Sequence, residues 1–153
     1  MKNDIGHAKK VLLGIGMFFI MLCSNLTQAQ TTVFEQLTGT WLFDDATSFA
    51  TIEPATRAHM DTVPQLKTQL LSAYIGRKVF FGSDGAYKVI LSDGRGASGN
   101  WKLTPSGEIS LTDPQGNVSY QQIGALENNR LVLIPIVSKG FKGIIKERHF
   151  VKL

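Results

Sequence analysis

The chain has 153 residues, of which 43% are hydrophobic and 18% charged, and its formal net charge is +4. This length suits one domain with a single apolar core. Nucleic-acid binding requires a strongly basic face, which so small a charge does not provide, so no nucleic-acid partner is expected. A single cysteine, Cys23, excludes an internal disulfide.

The first 29 residues have the layout of a secretory signal peptide. Lysines precede an uncharged run of 13 residues, 11–23, and small or polar residues at Thr27 and Ala29 favour cleavage before Gln30. The run is shorter than the about 20 apolar residues that cross a bilayer, so no stable membrane insertion is expected after cleavage. Leu22 is too bulky for the position before a lipid-attached cysteine, which argues against an outer-membrane lipoprotein. We therefore expect a secreted or periplasmic protein.

Removal of residues 1–29 changes the charge balance. This segment holds three of the 16 basic residues, one of the 12 acidic residues and the only cysteine. The mature chain, residues 30–153, then has a net charge of +2 and no thiol. Its stability must come from one apolar core, because no disulfide can contribute.

The sequence Gly39-Thr40-Trp41 opens the first predicted strand, 39–43. A buried Trp supplies a large apolar area at one position, and the Gly two residues earlier lets backbone or another side chain approach closely. This combination suits the closed end of a small barrel.

A helix is expected in the 34 residues between the first two strands, because structureless connections of that length are uncommon. Residues 62–75 supply it, since Thr62 and Gln65 have the spacing of a capping box. Leu70 and Tyr74 fall on the apolar face of this helix. We expect the helix to lie across the open mouth of a barrel and to control access to it.

From Lys78 onward, short runs with a period of two alternate with turn residues, the pattern of a sandwich or an up-and-down barrel. Seven further strands are predicted, at 79–81, 86–91, 99–103, 108–111, 118–123, 130–135 and 144–153. Eight strands is the number at which a closed sheet has room inside for side chains or one small ligand. We therefore predict an all-β fold, an eight-stranded antiparallel up-and-down barrel with one helix between strands 1 and 2.

Alternation along these strands assigns a set of inward-facing side chains. The set comprises Trp41, Phe43, Val79, Phe81, Tyr87, Val89, Leu91, Trp101, Leu103, Ile109, Leu111, Val118 and Tyr120. Its aromatic members could line a ligand cavity or fill it, and the sequence leaves both alternatives open.

Four segments, 37–41, 80–87, 98–103 and 130–133, carry a family resemblance in their order and spacing. The chain resembles the small secreted bacterial lipocalin-like domain proteins of the calycin superfamily over about residues 34–153. The resemblance implies a lipocalin-like barrel, with a basic residue of the last strand packed over the Trp of the first. Arg148 is the best match to that basic residue. The Thr-Asp-Tyr motif of the larger lipocalin family is not present.

No catalytic constellation stands out in the sequence. Residues 94–99 have the spacing of a nucleotide-binding fingerprint, but a Trp-bearing strand follows them where the fingerprint needs a helix. The mature sequence has no Gly-x-Ser-x-Gly elbow. His59 and His149 lack the i, i+4 spacing or the carboxylate cluster that would favour a metal site. We therefore expect no enzyme, no cofactor and no metal.

Two functions are consistent with these features. The first is a monomeric barrel that binds a small hydrophobic or amphipathic ligand non-covalently, by desolvation in an aromatic-lined cup. The expected ligand-binding residues are Trp41, Phe43, Leu70, Tyr74, Phe81, Tyr87, Trp101, Tyr120 and Arg148. The second is a structural or protein-interaction module of the cell envelope with a filled core. A cavity of about 300 Å³ or more would favour the first.

Overall fold

A computed structural model describes residues 32–137 and 143–153. The predicted signal peptide, residues 1–29, lies outside the described residues. The chain divides into two units, 1–35 and 36–153, and of the first unit the structure describes residues 32–35, which are helical. Within the described ranges, no helix combines the length and the apolar character needed to cross a membrane.

The second unit is a closed barrel of eight antiparallel strands, which confirms the predicted fold class. The strands are β1 (Gly39–Phe43), β2 (Lys78–Phe81), β3 (Ala86–Ile90), β4 (Gly96–Leu103), β5 (Ile109–Thr112), β6 (Val118–Glu127), β7 (Arg130–Ile136) and β8 (Arg148–Lys152). Each strand pairs with the strands before and after it in sequence, and β8 pairs with β1. Closure gives every strand two partners, so no strand edge is left open for aggregation.

Two strands extend further than the sequence indicates. β4 begins at Gly96 instead of Gly99, because Leu91 N donates to the Arg95 carbonyl at 2.7 Å and so tightens the β3–β4 turn. β6 runs past Ile123 to Glu127, with a shift in pairing register just after Ile123. The shift absorbs the extra residue, as a β-bulge does, and lets the strand continue where the alternation breaks.

The connection between β1 and β2 holds three helices where one was predicted. They are α1 (Asp45–Ala50), α2 (Pro54–Thr62) and α3 (Pro64–Tyr74). The Asp44 carboxylate caps α1, accepting hydrogen bonds from Thr47 N at 3.1 Å and Thr47 Oγ1 at 2.7 Å. These hydrogen bonds hold the pKa of Asp44 below its usual value. A side-chain oxygen at this position satisfies a backbone donor that the first turn leaves free.

The helix predicted at 62–75 corresponds to α3, but Thr62 does not cap it. The Thr62 hydroxyl instead donates to the His59 carbonyl at 2.7 Å, inside α2. Pro64 occupies the first turn of α3, where its fixed φ fits and its missing N–H costs nothing. The helical connection is therefore broken at Val63 and begins again without a side-chain cap.

Helix α1 is tied to β8 by a fully buried serine. His149 N donates to Ser48 Oγ at 2.9 Å, and Asp44 N donates to the His149 carbonyl at 2.9 Å. At the start of β2, Phe43 N donates to the Arg77 carbonyl at 2.9 Å. These bonds fix the helical connection to the end of the barrel where β1 stops, which we call the helical end.

The opposite end of the barrel, which we call the tryptophan end, is filled by aromatic side chains. Trp41 and Phe81 are essentially buried, and the Trp101 ring packs edge-on against Phe81 with centroids 5.1 Å apart. Both indole N–H groups find backbone acceptors: Trp41 Nε1 donates to the Leu37 carbonyl at 2.7 Å and Trp101 Nε1 to the Gly82 carbonyl at 2.9 Å. A buried Trp that keeps its hydrogen bond contributes its full apolar area to stability.

The predicted inward-facing set is wrong on β6. Gln121 pairs with Ile109 and Ser119 pairs with Leu111, so Gln121 and Ser119 share the inner face with their partners. Tyr120 instead points outward and is 42% exposed. Segment 118–123 carries apolar residues in both phases of the alternation, so its sequence does not fix which face is inside.

Candidate functional site

A cavity of about 340 Å³ lies at the helical end of the barrel. Two small residues line it, Ala97 of β4 and Ser119 of β6. Both face inward, because Ala97 pairs with inward-facing Val89 and Ser119 pairs with inward-facing Leu111. Their small side chains leave the space between the strands open. Its apolar wall is formed by Val79, Val89, Leu111, Leu133 and Phe150. The volume falls within the range of about 300 to 1,000 Å³ that is usual for small-molecule sites.

Two half-buried arginines, Arg77 and Arg148, line this cavity. Arg77 is placed by the hydrogen bond from Phe43 N to its carbonyl, and Arg148 is placed by its pairing with Leu133 across β7 and β8. The Nε atom of each guanidinium is buried and has no hydrogen-bond partner. Among the described residues, no carboxylate lies within ion-pair distance of either guanidinium.

Tyr74, at the end of α3, lies against both guanidinium groups. Its ring centroid is 5.2 Å from Arg77 Cζ and 5.8 Å from Arg148 Cζ, within the range of cation–π contacts. The Phe43 ring also packs on Tyr74, with ring centroids 5.1 Å apart. The aromatic rings therefore hold the two cations in position without neutralising them.

Ionisation in the site follows from burial and from the two cations. Burial raises the pKa of Tyr87, and the charges of Arg77 and Arg148 oppose that rise. Burial also lowers the pKa of Arg148; Tyr74 opposes that change and the nearby charge of Arg77 adds to it. An arginine starts from so high a pKa that it stays charged in proteins. At neutral pH the two guanidinium groups are therefore positively charged and the Tyr87 hydroxyl keeps its proton.

The turn between β5 and β6 contributes the only carboxylate among the residues that line the described cavity, that of Asp113. Asp113 Oδ1 accepts from Gln115 N at 2.9 Å and from Asn117 N at 2.8 Å, while Oδ2 accepts from Asn117 Nδ2 at 2.8 Å. The hydrogen bond from the Asn117 side chain is the main cause of the lowered pKa of Asp113. The carboxylate is thus used to close its own turn.

The predicted ligand-binding residues fall into separate groups. Tyr87 and Arg148 line the cavity. Phe43 and Tyr74 do not line it, but they pack behind the arginines through the Tyr74 ring. These four residues are brought together at the helical end.

Three of the predicted residues, Trp41, Phe81 and Trp101, fill the tryptophan end and do not line the cavity. Their bulk fills the interior at that end, and Trp41 instead lines a separate pocket of about 390 Å³ with Asn129 and Lys152. Tyr87 and Phe150 are the aromatic residues among those that line the described cavity, beside six aliphatic and eight polar or charged residues.

Two further predicted residues lie away from the cavity. Leu70 is buried in a groove between the three helices, beside Phe49 and Met60. Tyr120 lies on the outer face of β6, as described above. No residue of α1, α2 or α3 is among those that line the described cavity, so Leu70 is not placed to control access as a lid.

The cation over Trp41 is Lys152 and not Arg148. Lys152 Nζ lies 5.1 Å from the Trp41 ring centroid and donates to the Gln36 carbonyl at 2.7 Å. The strand register explains the difference, because Lys152 pairs directly with Trp41 while Arg148 lies at the other end of β8. The sequence identified the last strand as the source of the cation but not the residue.

Replacing Lys152 with methionine should lower the free energy of unfolding by about 0.5 to 2 kcal/mol, since the cation–π contact is lost while the apolar stem is kept. Urea denaturation measures this change. Lys88→Met, at an exposed position of β3, removes the same charge without such a contact and should change stability by less than about 0.5 kcal/mol. Equal midpoints for Lys152→Met and wild type would contradict the assignment.

Sequence reasoning missed Arg77 and the small residues that open the cavity. Arg77 stands two residues before inward-facing Val79, so the same alternation extended by one step would have placed it inside. Ala97 lay in a segment interpreted as a turn, and Ser119 was assigned to the outer face. In each case the missing information was strand register.

The architecture is compatible with a lipocalin-like fold, since the barrel is closed, antiparallel and ordered up and down. A tryptophan of the first strand is covered by a cation of the last strand. Comparison of the chain with protein-family models, with curated proteins and with solved structures gives no match.

Proposed function

We propose that the protein is a secreted or periplasmic lipocalin-like protein that binds a small hydrophobic or amphipathic molecule non-covalently inside its barrel. The observation that carries this proposal is the cavity of about 340 Å³ at the helical end. A core that served stability alone would be expected to fill such a space, because empty volume forfeits packing contacts.

The cavity wall supplies the driving force for binding. A ligand that covers Val79, Val89, Leu111 and Leu133 removes apolar surface from water, which is worth about 25 cal/mol for each Å² buried. The barrel strands hold these residues by continuous pairing, so little ordering is required when the ligand binds. This rigidity favours a preformed site.

Kinship with the calycin superfamily is part of the proposal. It is supported by the eight-stranded closure and by the stacking of Lys152 on the tryptophan of the Gly39-x-Trp41 sequence. These features concern the fold, so the argument for ligand binding rests on the cavity and not on the resemblance.

A second candidate is a protein-interaction module, and one observation favours it. Tyr120 and Ile136 pair directly across β6 and β7, and both are exposed on the outer wall, at 42% and 45%. Neighbouring apolar residues on a surface can mark a contact site. Such a contact would use the outer wall and would leave the binding of a small ligand unaffected.

Titration with the neutral fluorescent probe N-phenyl-1-naphthylamine tests the ligand proposal. Ser119→Phe adds an aromatic ring at an inward-facing position and should weaken probe binding by about tenfold or more, because the ring occupies the ligand volume. Gln122→Phe adds the same ring to the same strand on the opposite, exposed face, so it is the matched control and should bind the probe as wild type does.

The two variants also separate the candidate functions. Probe binding by wild type that is lost only in Ser119→Phe supports the cavity as the site. Binding that both substitutions weaken equally places the probe on the outer wall and favours the interaction module. Absence of binding by the folded wild-type protein contradicts the ligand proposal.

A further inference from the structure

We propose that the ligand carries an anionic head group, which Arg77 and Arg148 bind together inside the barrel. This inference rests on the proposed function, because the head group would occupy the same cavity as the rest of the ligand. The ligand class is then an amphiphile with a carboxylate or a similar oxyanion at one end and an aliphatic body.

The first argument is the missing counter-charge. Buried charges in proteins are normally paired, since an unpaired charge loses its hydration without compensation. Arg77 and Arg148 both line the cavity, and the Nε atom of each is buried without a hydrogen-bond partner. The charge of Arg77 also adds to the lowering of the Arg148 pKa that burial causes. An anion between them would relieve both the repulsion and the unsatisfied donors.

The second argument is that the chain does not supply this anion. Among the residues described around the cavity, the carboxylate of Asp113 is engaged in its own turn, and Glu147 lies exposed at 3.5 Å from His149. Segment 138–142, which the structure does not describe, contains no acidic residue. Outside the described ranges the sequence has a single acidic residue, Asp4, inside the predicted signal peptide.

The third argument is the donor geometry. A guanidinium presents several N–H groups in a planar fork that matches a carboxylate or phosphate, and charge-assisted bonds of this kind are about twice as strong as neutral ones. Tyr87 lines the same cavity, and burial raises its pKa further above neutral, so its hydroxyl keeps its proton at neutral pH. Its hydroxyl can therefore donate to an anion beside the two cations.

The fourth argument distinguishes an amphiphile from a free inorganic anion. The two arginines account for one part of the cavity, and aliphatic side chains from Val89 on β3 to Leu133 on β7 form another part of the wall, beside polar residues such as Ser119. Phosphate or acetate would satisfy the arginines but would leave that wall hydrated. A chain attached to the oxyanion covers both surfaces at once.

Decanoate and decan-1-ol form a matched pair of probes, alike in chain length and different in charge. Each is measured by displacement of N-phenyl-1-naphthylamine from the full mature protein. Wild type should bind decanoate at least about tenfold more tightly than decan-1-ol, as expected for charge-assisted hydrogen bonds to two arginines. Arg77→Met combined with Arg148→Met should abolish this preference and leave decan-1-ol affinity within about threefold of wild type.

Lys88→Met is the control for a simple loss of positive charge, since Lys88 is exposed on β3 and does not line the cavity. It should keep the full preference for decanoate. The melting temperature without ligand is measured alongside, since the double arginine variant loses two cation–π contacts with Tyr74 as well as two half-buried charges. Retained binding of decan-1-ol shows in the same experiment that the variant is folded.

The outcomes separate the two proposals. If decan-1-ol and the neutral probe bind but decanoate has no advantage, the anionic head group is wrong and the proposed function stands. If Lys88→Met loses the preference as fully as the double variant does, the arginines are not the site. If acetate or phosphate displaces the probe as well as decanoate does, the ligand is a free anion and the amphiphile is wrong. If nothing binds to folded wild type, both proposals fail.

Discussion

Truncation of Trp41 to alanine should lower the free energy of unfolding by about 3 to 5 kcal/mol, the usual cost of removing a buried aromatic side chain. The Trp41 side chain is 1% exposed and lies under Lys152. Its loss also leaves the Leu37 carbonyl without the donor that it now has at 2.7 Å. Since small domains have a free energy of unfolding of about 5 to 15 kcal/mol, the substitution would remove a large part of it. Urea denaturation followed by far-ultraviolet circular dichroism measures the change.

Tyr120→Ala is the matched control for this truncation. It also removes an aromatic ring from a barrel strand, but from the outer face, where the side chain is 42% exposed. We expect its effect to be less than about 1 kcal/mol, as for most surface substitutions. Equal losses in the two variants would show that Tyr120, and not Trp41 alone, packs in the core, and the described register of β6 would be wrong.

Replacing Gly99 with alanine should cost about 1 to 3 kcal/mol, as overpacking in a tight site does. A methyl group at this position would overlap the carbonyl oxygen of Thr112 and would lie 3.1 Å from the carbonyl carbon, so one strand must move. The movement would disturb the pairing of β4 with β5 beside the cavity.

Ser98→Ala serves as the reference for Gly99→Ala. Ser98 is the preceding residue of β4 and is exposed, so the substitution should change the melting temperature very little. Thermal unfolding of the two variants side by side gives the comparison. A melting temperature of Gly99→Ala equal to or above that of wild type would mean that β4 and β5 do not approach as closely as described.

The fold was predictable because its turns carry strong local signals. Asp84-Gly85 marks the β2–β3 hairpin, and Gly85 has a φ of +84°, a conformation that side chains rarely adopt. The short strands between such turns alternate clearly, which is enough to count eight of them. Strand number and antiparallel order are therefore properties that local sequence can encode.

Details that depend on contacts between distant segments were not predictable. The phase of β6 is set by pairing of Gln121 with Ile109, and the cation over Trp41 is set by the register of β8. Helix α1 is six residues long, too short to show a periodic pattern, and it is held by the bond from His149 N to Ser48 Oγ across 101 residues of sequence. Isolated helices of this length are not stable, so tertiary docking decides whether they form.

The candidate site was also predictable where local sequence decides and unpredictable where contacts between distant segments decide. Tyr87, which lines the cavity, was identified because it alternates with clear inward positions. Arg148, which also lines it, was identified because it lies on the last strand. The aromatic residues at the tryptophan end were assigned to a ligand because their composition resembles a binding wall. Composition does not reveal whether a large side chain lines a space or occupies it, which depends on the residues across the barrel.

The division of the barrel into a filled half and a hollow half has a consequence for how this chain can change. Residues that set folding stability, such as Trp41 and Phe81, are different from residues that set the size and charge of the cavity, such as Ser119 and Arg148. Tyr87 joins the two groups, since it lines the cavity and its ring centroid lies 5.4 Å from that of Phe81. Substitutions at positions that share no contact usually add with little coupling. The size and charge of the cavity can therefore be altered, by mutation in nature or in the laboratory, with little loss of folding stability.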